Sequence, residues 1–235
     1  EIGFDRENLM MIWINTELSD SYETIKNELI ATGAVKHVTK SNSPVTSIFA
    51  NNIVEWPGME PGTRVIFSTI ATEYDYVKTM GINLLEGRDF SREFNDSTSV
   101  IINQAAVDVM GLTEPVGSKV NMWGGEFTIV GVTENVIMNS PFEPVAPMVV
   151  VFEPEWNSTI TLRLEKTSDL SGAINKVEDV FKRLNPTYPF AYRFADVEFD
   201  KKFSSINRVG NRGKVFAAVA LIITALGWVG RAAFT

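Results

Sequence analysis

The sequence predicts an α+β fold in which a β-rich segment is inserted into a split βαβ–βαβ unit. Two observations lead to this prediction. A strand–helix–strand pattern occurs near each end of the first 196 residues, and the segment between them has many short strands separated by Gly and Pro. Two βαβ units of similar size can form one sheet with both helices on a single face. We therefore assign residues 1–45 and 156–196 to one discontinuous subdomain, and residues 46–155 to an inserted one.

The first βαβ unit begins with an apolar run, Leu9 to Asn15, which has the length of a buried strand. Asp20 and Glu23 have the spacing of a capping box, and the helix that they begin is expected to end at Gly33. Residues 35–40 then alternate between apolar and polar, as in a half-buried strand.

The second βαβ unit has the same order of elements. Residues 159–165 alternate as a strand, and residues 170–184 carry apolar side chains at helical spacing before Pro186 ends the helix. Residues 190–196 supply the closing strand.

The inserted segment is predicted to be mostly strand, with two short helices. One helix covers about 73–80, and the other is capped by Asn103 and ends at Gly111. Gly124 and Gly125 indicate a hairpin turn between two of the strands. The predicted strands are 65–71, 100–102, 119–123, 127–132 and 148–152.

The chain after Asp196 is predicted to be helical to its end. Residues 197–214 would form a stalk helix, and residues 215–235 would begin a transmembrane helix that the sequence cuts short, which indicates a piece of a longer protein. The alternative is a buried helix of a soluble protein, and Arg231 interrupts the apolar stretch. The residues assigned to the stalk and membrane are Arg208, Arg212, Lys214, Val215, Phe216, Leu221, Ile222, Ile223, Leu226 and Trp228.

Composition and motifs exclude several function classes. The formal net charge of −8 argues against a nucleic-acid partner. The absence of Cys excludes disulfides and thiolate chemistry, and no phosphate-binding loop of the GxxxxGK[ST] type occurs. His37, the single histidine, lacks local metal-ligating neighbours. The loop with Asp89, Glu93 and Asp96 is interpreted as a solvated turn, and the alternative is a hydrolase site that uses these carboxylates. We expect no catalytic residue, metal or cofactor in this chain.

Apolar side chains on predicted loop tips of the inserted segment are candidates for a partner surface. These are Trp56, Met59 and Phe142, each next to Pro or Gly. The alternative interpretation is that they cover the segment's own core.

Four segments of the chain stand out together: GFDRENLMMI (3–12), DYVKTMGINLLEGRDFS (75–91), SVIINQAAVDVMGLTEPVGSKV (99–120) and FTIVGVTENVIMNSPFEPVAPMVVVF (127–152). No single segment is decisive, but their order and spacing are specific. Together they resemble the extracytoplasmic domain of MacB/FtsX-type ABC-transporter permeases, and the C-terminal stretch resembles that family's stalk and membrane helix.

The resemblance implies a ferredoxin-like "porter" subdomain and a β-rich "sabre" subdomain that face the periplasm from the bacterial inner membrane. Such a domain would transmit motion from a separate ATP-binding subunit, called mechanotransmission, to a client such as a lipoprotein, a peptide or an adaptor. The implied partners are that cytoplasmic ATPase, a second permease half or a homodimer copy, and membrane lipid. The alternative is a ligand- or partner-binding module without a transport role, anchored by its C-terminal helix.

Overall fold

The computed structural model describes residues 3–14, 16–138 and 144–202, without the side chains of Thr16 and Glu17. The chain divides into two compact units, of which the first covers residues 1–195. In the second unit the described residues, 196–202, are helical. The expectation of a mixed α and β fold is confirmed, whereas the division of the first unit into two subdomains stays a prediction.

Eleven strands of the described chain join in one sheet, with the order β11-β1-β10-β2-β4-β9-β6-β8-β5; β3 pairs with β4, and β7 pairs with β8. The strands are β1 Leu9–Trp13, β2 Val35–Ser41, β3 Ala50–Ile53, β4 Ile66–Thr72, β5 Leu84–Gly87, β6 Ser99–Asn103, β7 Lys119–Met122, β8 Gly125–Thr133, β9 Met148–Phe152, β10 Thr159–Leu164 and β11 Tyr192–Phe194. The helices are α1 Thr16–Asp20, α2 Tyr22–Ala31, α3 Tyr76–Met80, α4 Gln104–Met110 and α5 Leu170–Leu184.

Strands β11, β1, β10 and β2 form an antiparallel part of the sheet that we call the terminal sheet. Its order places β10, which comes late in the chain, between β1 and β2. Ile160, Leu162 and Leu164 of β10 point to one face, where they pack in a core with α2 and α5. The alternate residues of β10 therefore face the other side, where α3 lies.

The sequence placed most elements of the terminal sheet correctly but not the start of its first helix. The predicted capping box of Asp20 and Glu23 is wrong, because α1 already covers Thr16–Asp20. A new helix, α2, starts after Ser21, whose side chain makes no capping hydrogen bond. Gly33 follows the helix end with φ +68°, which matches the expected role of glycine there.

Six strands of the inserted segment are joined in a closed ring, which we call the six-strand ring. The pairs β3-β4, β4-β9, β9-β6, β6-β8 and β8-β7 form most of it. The ring closes where Glu55 pairs with Asn121 through two backbone hydrogen bonds of 2.9 and 2.7 Å. Its interior is apolar, with Phe67, Ile102 and Val149 fully buried. Helix α4 packs on the same core and is capped by the Asn103 side chain, as predicted.

The predicted stalk and membrane helices extend past the described residues. A helix begins at residue 195 and continues to residue 202, the last that the structure describes. Arg208, Arg212, Lys214 and the apolar residues from Val215 to Trp228 lie outside the described part. Among the helices of that part, none combines the length and the apolar character that a membrane span requires.

Candidate functional site

The terminal sheet and the six-strand ring share one backbone ladder at a narrow contact. Ser41 of β2 pairs with Thr72 of β4, and the Thr72 hydroxyl donates to the Lys40 carbonyl at 2.7 Å. Asn42 donates its backbone N–H to the Ala71 carbonyl and accepts the Ala71 N–H on its side chain. We call this contact the joint.

A buried polar cluster lies at the end of β4, beside the joint, and links β4 to α2. Lys26 donates to a Glu73 carboxylate oxygen at 2.8 Å, and the Tyr22 hydroxyl donates to the same oxygen. The side chains of Lys26 and Glu73 are only 8% and 3% exposed. Asp75 is a second, longer partner of Lys26 at 3.4 Å.

Burial is the largest influence on the pKa values of Glu73 and Tyr22 in this cluster. It raises the pKa of Glu73, and Lys26 and the hydrogen bonds from Lys26 and Tyr22 oppose the shift. Burial also raises the pKa of Tyr22 well above its ordinary value, with the Glu73 charge as the next cause. Tyr22 is therefore a hydrogen-bond donor at neutral pH.

Arg163 of β10 binds both α3 and residues 3–8, which we call the N-terminal segment. Both lie on the face of the terminal sheet opposite α2 and α5. Its Nε donates to the Thr79 carbonyl at 2.9 Å, and its terminal nitrogens donate to the carbonyls of Glu7 at 2.6 Å and Asp5 at 2.8 Å. The Asp5 carboxylate lies 3.3 Å from Nη1. One nearly buried guanidinium thus fixes two separate pieces of backbone to the strand.

His37 lies in β2 and lines an open cleft of about 350 Å³ together with Lys36, Lys78 and Arg163. Burial lowers the pKa of His37, and the charges of Lys78 and Lys36 lower it further. The imidazole is therefore neutral at physiological pH. Within the ranges that the structure describes, no three His, Asp or Glu residues converge in a way that would hold a metal ion.

Trp56, a predicted partner residue, lies half-buried at the edge of the six-strand ring. Its ring packs against the buried core and makes an edge-to-face contact with Phe67, with centroids 6.1 Å apart. Met59 is half-buried in the same loop, where its N–H donates to the Trp56 carbonyl. Phe142 lies outside the described residues. The geometry is that of a core-covering loop, and a partner role of Trp56 and Met59 stays a prediction.

A family model for the MacB-like periplasmic core domain matches residues 2–180 of this chain. The chain belongs to that family. The expected relation to MacB-type ABC-transporter permeases is thereby confirmed, and this family is one of transporter permease domains.

Two solved structures of low sequence identity share the fold of this MacB-like domain. The periplasmic region of MacB from Actinobacillus actinomycetemcomitans is 16% identical, with a TM-score of 0.57, and the match covers 85% of this chain and 94% of that one. The extracellular domain of the noncanonic ABC-type transporter YknZ from Gram-positive bacteria is 14% identical, with a TM-score of 0.54 and coverages of 79% and 97%. A search of curated proteins gave no match.

The acidic loop of this MacB-like domain is built differently from the expected solvated turn. The Asp96 side chain is fully buried, and Arg88 holds both of its oxygens, at 2.7 and 3.1 Å. Ser91 donates its backbone N–H to the same carboxylate at 2.9 Å. Glu93 remains exposed. The solvated interpretation is therefore wrong for Asp96, whose carboxylate serves to fold the loop.

Asp89, in the same loop, accepts backbone hydrogen bonds from Val77 and Lys78 in the first turn of α3. It takes the place of an N-cap, because the residue before α3, Asp75, has φ +64° and makes no capping bond. Burial raises the pKa of Asp89 from 3.8 to about 6. Its loss of a proton therefore costs more in the folded chain than in the unfolded one.

We expect the free energy of unfolding to fall as pH rises from about 4 to about 6, because the folded chain retains the Asp89 proton longer than the unfolded chain. Asp89→Asn keeps a capping oxygen and should reduce that decline, while the part that comes from the raised pKa of Glu73 remains. Urea denaturation across this pH range measures it. Glu93→Gln, in the exposed part of the loop, is the matched control. An unchanged pH profile in Asp89→Asn would contradict the assignment.

Sequence reasoning missed a group of aromatic side chains at the surface, which we call the tryptophan surface: the exposed Trp123 and Trp156 with the half-buried Phe127. Trp123 is 51% exposed and Trp156 42% exposed, and their ring centroids lie 6.1 Å apart. Trp123 also contacts Phe127 edge to face. The available signal was the sequence Trp-Gly-Gly between two strands. The predicted turn at Gly124 and Gly125 is wrong by one residue, because Met122 pairs with Gly125 around Trp123 and Gly124.

Proposed function

We propose that this domain is the extracytoplasmic part of an ABC-transporter permease and carries motion from the membrane to a client. In this proposal the domain faces the periplasm from the bacterial inner membrane. A separate cytoplasmic ATPase binds ATP, and this chain holds no cofactor. A second permease half or a homodimer copy, together with membrane lipid around the C-terminal helix, completes the assembly. The client would be an adaptor, a lipoprotein or a peptide.

The observation that supports this proposal most directly is that the chain enters and leaves the terminal sheet at the same place. Met10 near the start of β1 pairs with Phe194 at the end of β11. A domain inserted between two consecutive membrane helices needs its two ends side by side. The adjacent strands β1 and β11 provide that arrangement.

The contacts between the terminal sheet and the six-strand ring also favour transmission of motion over flexing. The joint is backed by the buried polar cluster on one face and by the contacts of Arg163 with α3 and the N-terminal segment on the other. Buried, fully paired polar groups fix a single geometry because separating them leaves charges unsolvated. Motion of the N-terminal segment would therefore move the terminal sheet and the six-strand ring together.

Spin-label distance measurements on the full-length permease with its ATPase test this proposal. Lys119 on the six-strand ring and Lys182 on α5 are exposed label sites, and this chain has no native cysteine. Trapping the ATP-bound state should change the distance between Lys119 labels on two permease copies. The distance between Lys119 and Lys182 within one copy should not change.

An ATPase variant that cannot hydrolyse ATP, compared before and after nucleotide addition, serves as the control for cycling. A distance between copies that is the same in every nucleotide state would overturn the proposal. A changed distance within one copy would instead show that the domain itself hinges at the joint.

A further inference from the structure

The turn that carries Trp123 has a backbone that its sequence does not favour. Trp123 and Gly124 have φ values of +55° and +76° and connect the paired residues Met122 and Gly125. Two positive φ angles in a two-residue hairpin define a type I′ turn, for which Asn-Gly is the preferred sequence. A side chain as large as Trp is costly in the left-handed region. Unfavourable backbone geometry of this kind is concentrated at functional sites.

The Trp123 side chain is held in place although half of it faces solvent. Its indole N–H donates to the Asn52 side-chain oxygen at 2.8 Å. Phe127 contacts the ring at a nearly perpendicular angle of 86°, and Trp156 lies beside it at 59°. An exposed aromatic ring that is fixed before binding loses little entropy when a partner arrives. The tryptophan surface is therefore prepared for contact.

Three exposed glutamates lie within three residues of Trp123 or Trp156 in the sequence. Glu126 follows the turn with a 61% exposed side chain, and the exposed Glu155 directly precedes Trp156. Glu153 is also exposed, and its backbone carbonyl accepts a hydrogen bond from the backbone N–H of Trp156. Lys119 forms an ion pair with Glu126 at 3.1 Å. The whole chain has a formal charge of −8, so long-range attraction also favours a positive partner.

We propose that the tryptophan surface binds a basic segment of another polypeptide, with an Arg or Lys side chain over the indole rings. Trp is the strongest cation–π acceptor among the side chains, and Trp and Arg are enriched at the centres of protein interfaces. This binding role is separate from the proposed transport role. It can be tested on this chain alone, without the rest of a transporter.

The test is a titration of the chain, residues 1–235, with tetra-arginine, followed by the indole N–H signals in NMR spectra. We expect the Trp123 and Trp156 signals to shift, and the shift to weaken as salt is added. Trp123→Asn gives the turn its preferred residue, so the fold is kept, and binding should weaken about fivefold. Tetra-glutamate, with the opposite charge, should leave both signals in place.

Three outcomes would overturn the proposal. Equal binding of tetra-arginine to the wild-type chain and to Trp123→Asn would show a purely electrostatic effect. A shift with chitotetraose and none with tetra-arginine would assign the rings to a carbohydrate. Shifts that depend on protein concentration without any peptide would assign the surface to a second copy of this chain.

Discussion

Replacing Lys26 with methionine is expected to lower the free energy of unfolding by about 3–5 kcal/mol, because it leaves the Glu73 carboxylate buried without its cation. Tyr22 remains as a hydrogen-bond donor to the same oxygen. Urea denaturation at about pH 8, followed by circular dichroism, measures the loss. Glu28→Gln is the matched control, since it breaks an exposed ion pair with Arg183 and should cost far less stability.

The pH dependence of the Lys26→Met variant distinguishes an unpaired charge from lost packing. Lys26 is the largest influence that lowers the pKa of Glu73, so its removal raises that pKa further. A carboxyl whose pKa is raised by folding destabilises the fold as pH rises through that window. The variant should therefore lose less stability at about pH 5 than at about pH 8. A loss of the same size at both pH values would contradict the role given to Glu73.

The double variant Lys26→Met with Glu73→Leu gives a second check. Apolar replacement of both partners removes the charge that the single variant strands, so most of the stability should return. If the double variant were less stable than Lys26→Met, the cluster would owe its effect to shape and not to charge.

Replacing Arg163 with methionine is expected to cost about 3–5 kcal/mol and to release the N-terminal segment from the sheet. The change removes the donors for the carbonyls of Asp5, Glu7 and Thr79. Amide hydrogen exchange locates the effect. The Asp5 amide, which is bonded to the Met80 carbonyl, should exchange faster than the loss of global stability alone explains. The exchange of the Ile101 amide in the six-strand ring should change only as much as global stability does.

Two variants control the Arg163 prediction. Arg183→Met removes an exposed guanidinium and should leave both amides as in the wild type. Arg163→Lys keeps the positive charge but loses the planar arrangement of donors that reaches three carbonyls. Its stability should therefore lie between those of the wild type and Arg163→Met. Faster exchange throughout the six-strand ring in Arg163→Met would show that Arg163 supports the whole fold and not the N-terminal segment alone.

Periodicity in the sequence was enough to locate most elements of this fold. The alternation in β10 and the apolar spacing in α5 gave both elements within one residue of their observed bounds. The Asn103 cap and the Gly111 end of α4 were also correct. These signals are local, because side-chain direction within one element depends only on its own backbone period.

The missed elements lack such a local signal. Strands β3 and β5, with the sequences ANNI and LLEG, are short and largely exposed, and pairing with β4 and β8 defines them. Closure of the ring at Glu55 and Asn121 joins residues far apart in sequence. The polar cluster was invisible for the same reason, since α2 and the end of β4 meet only in the folded chain.

The position of β10 has a consequence for how the chain folds. Strands β1 and β2 come early, but each pairs with β10 and not with the other. Until residues 159–164 are synthesised, the first βαβ unit has a gap of one strand, with two unpaired edges and the apolar faces of β1 and α2 incompletely covered. Unpaired edges favour aggregation, and a contact across residues 42–158 is slow to form from an unfolded loop. Early closure of the six-strand ring would shorten that loop. The inserted segment should therefore act as a folding template for the terminal sheet, whose strands flank it in the sequence.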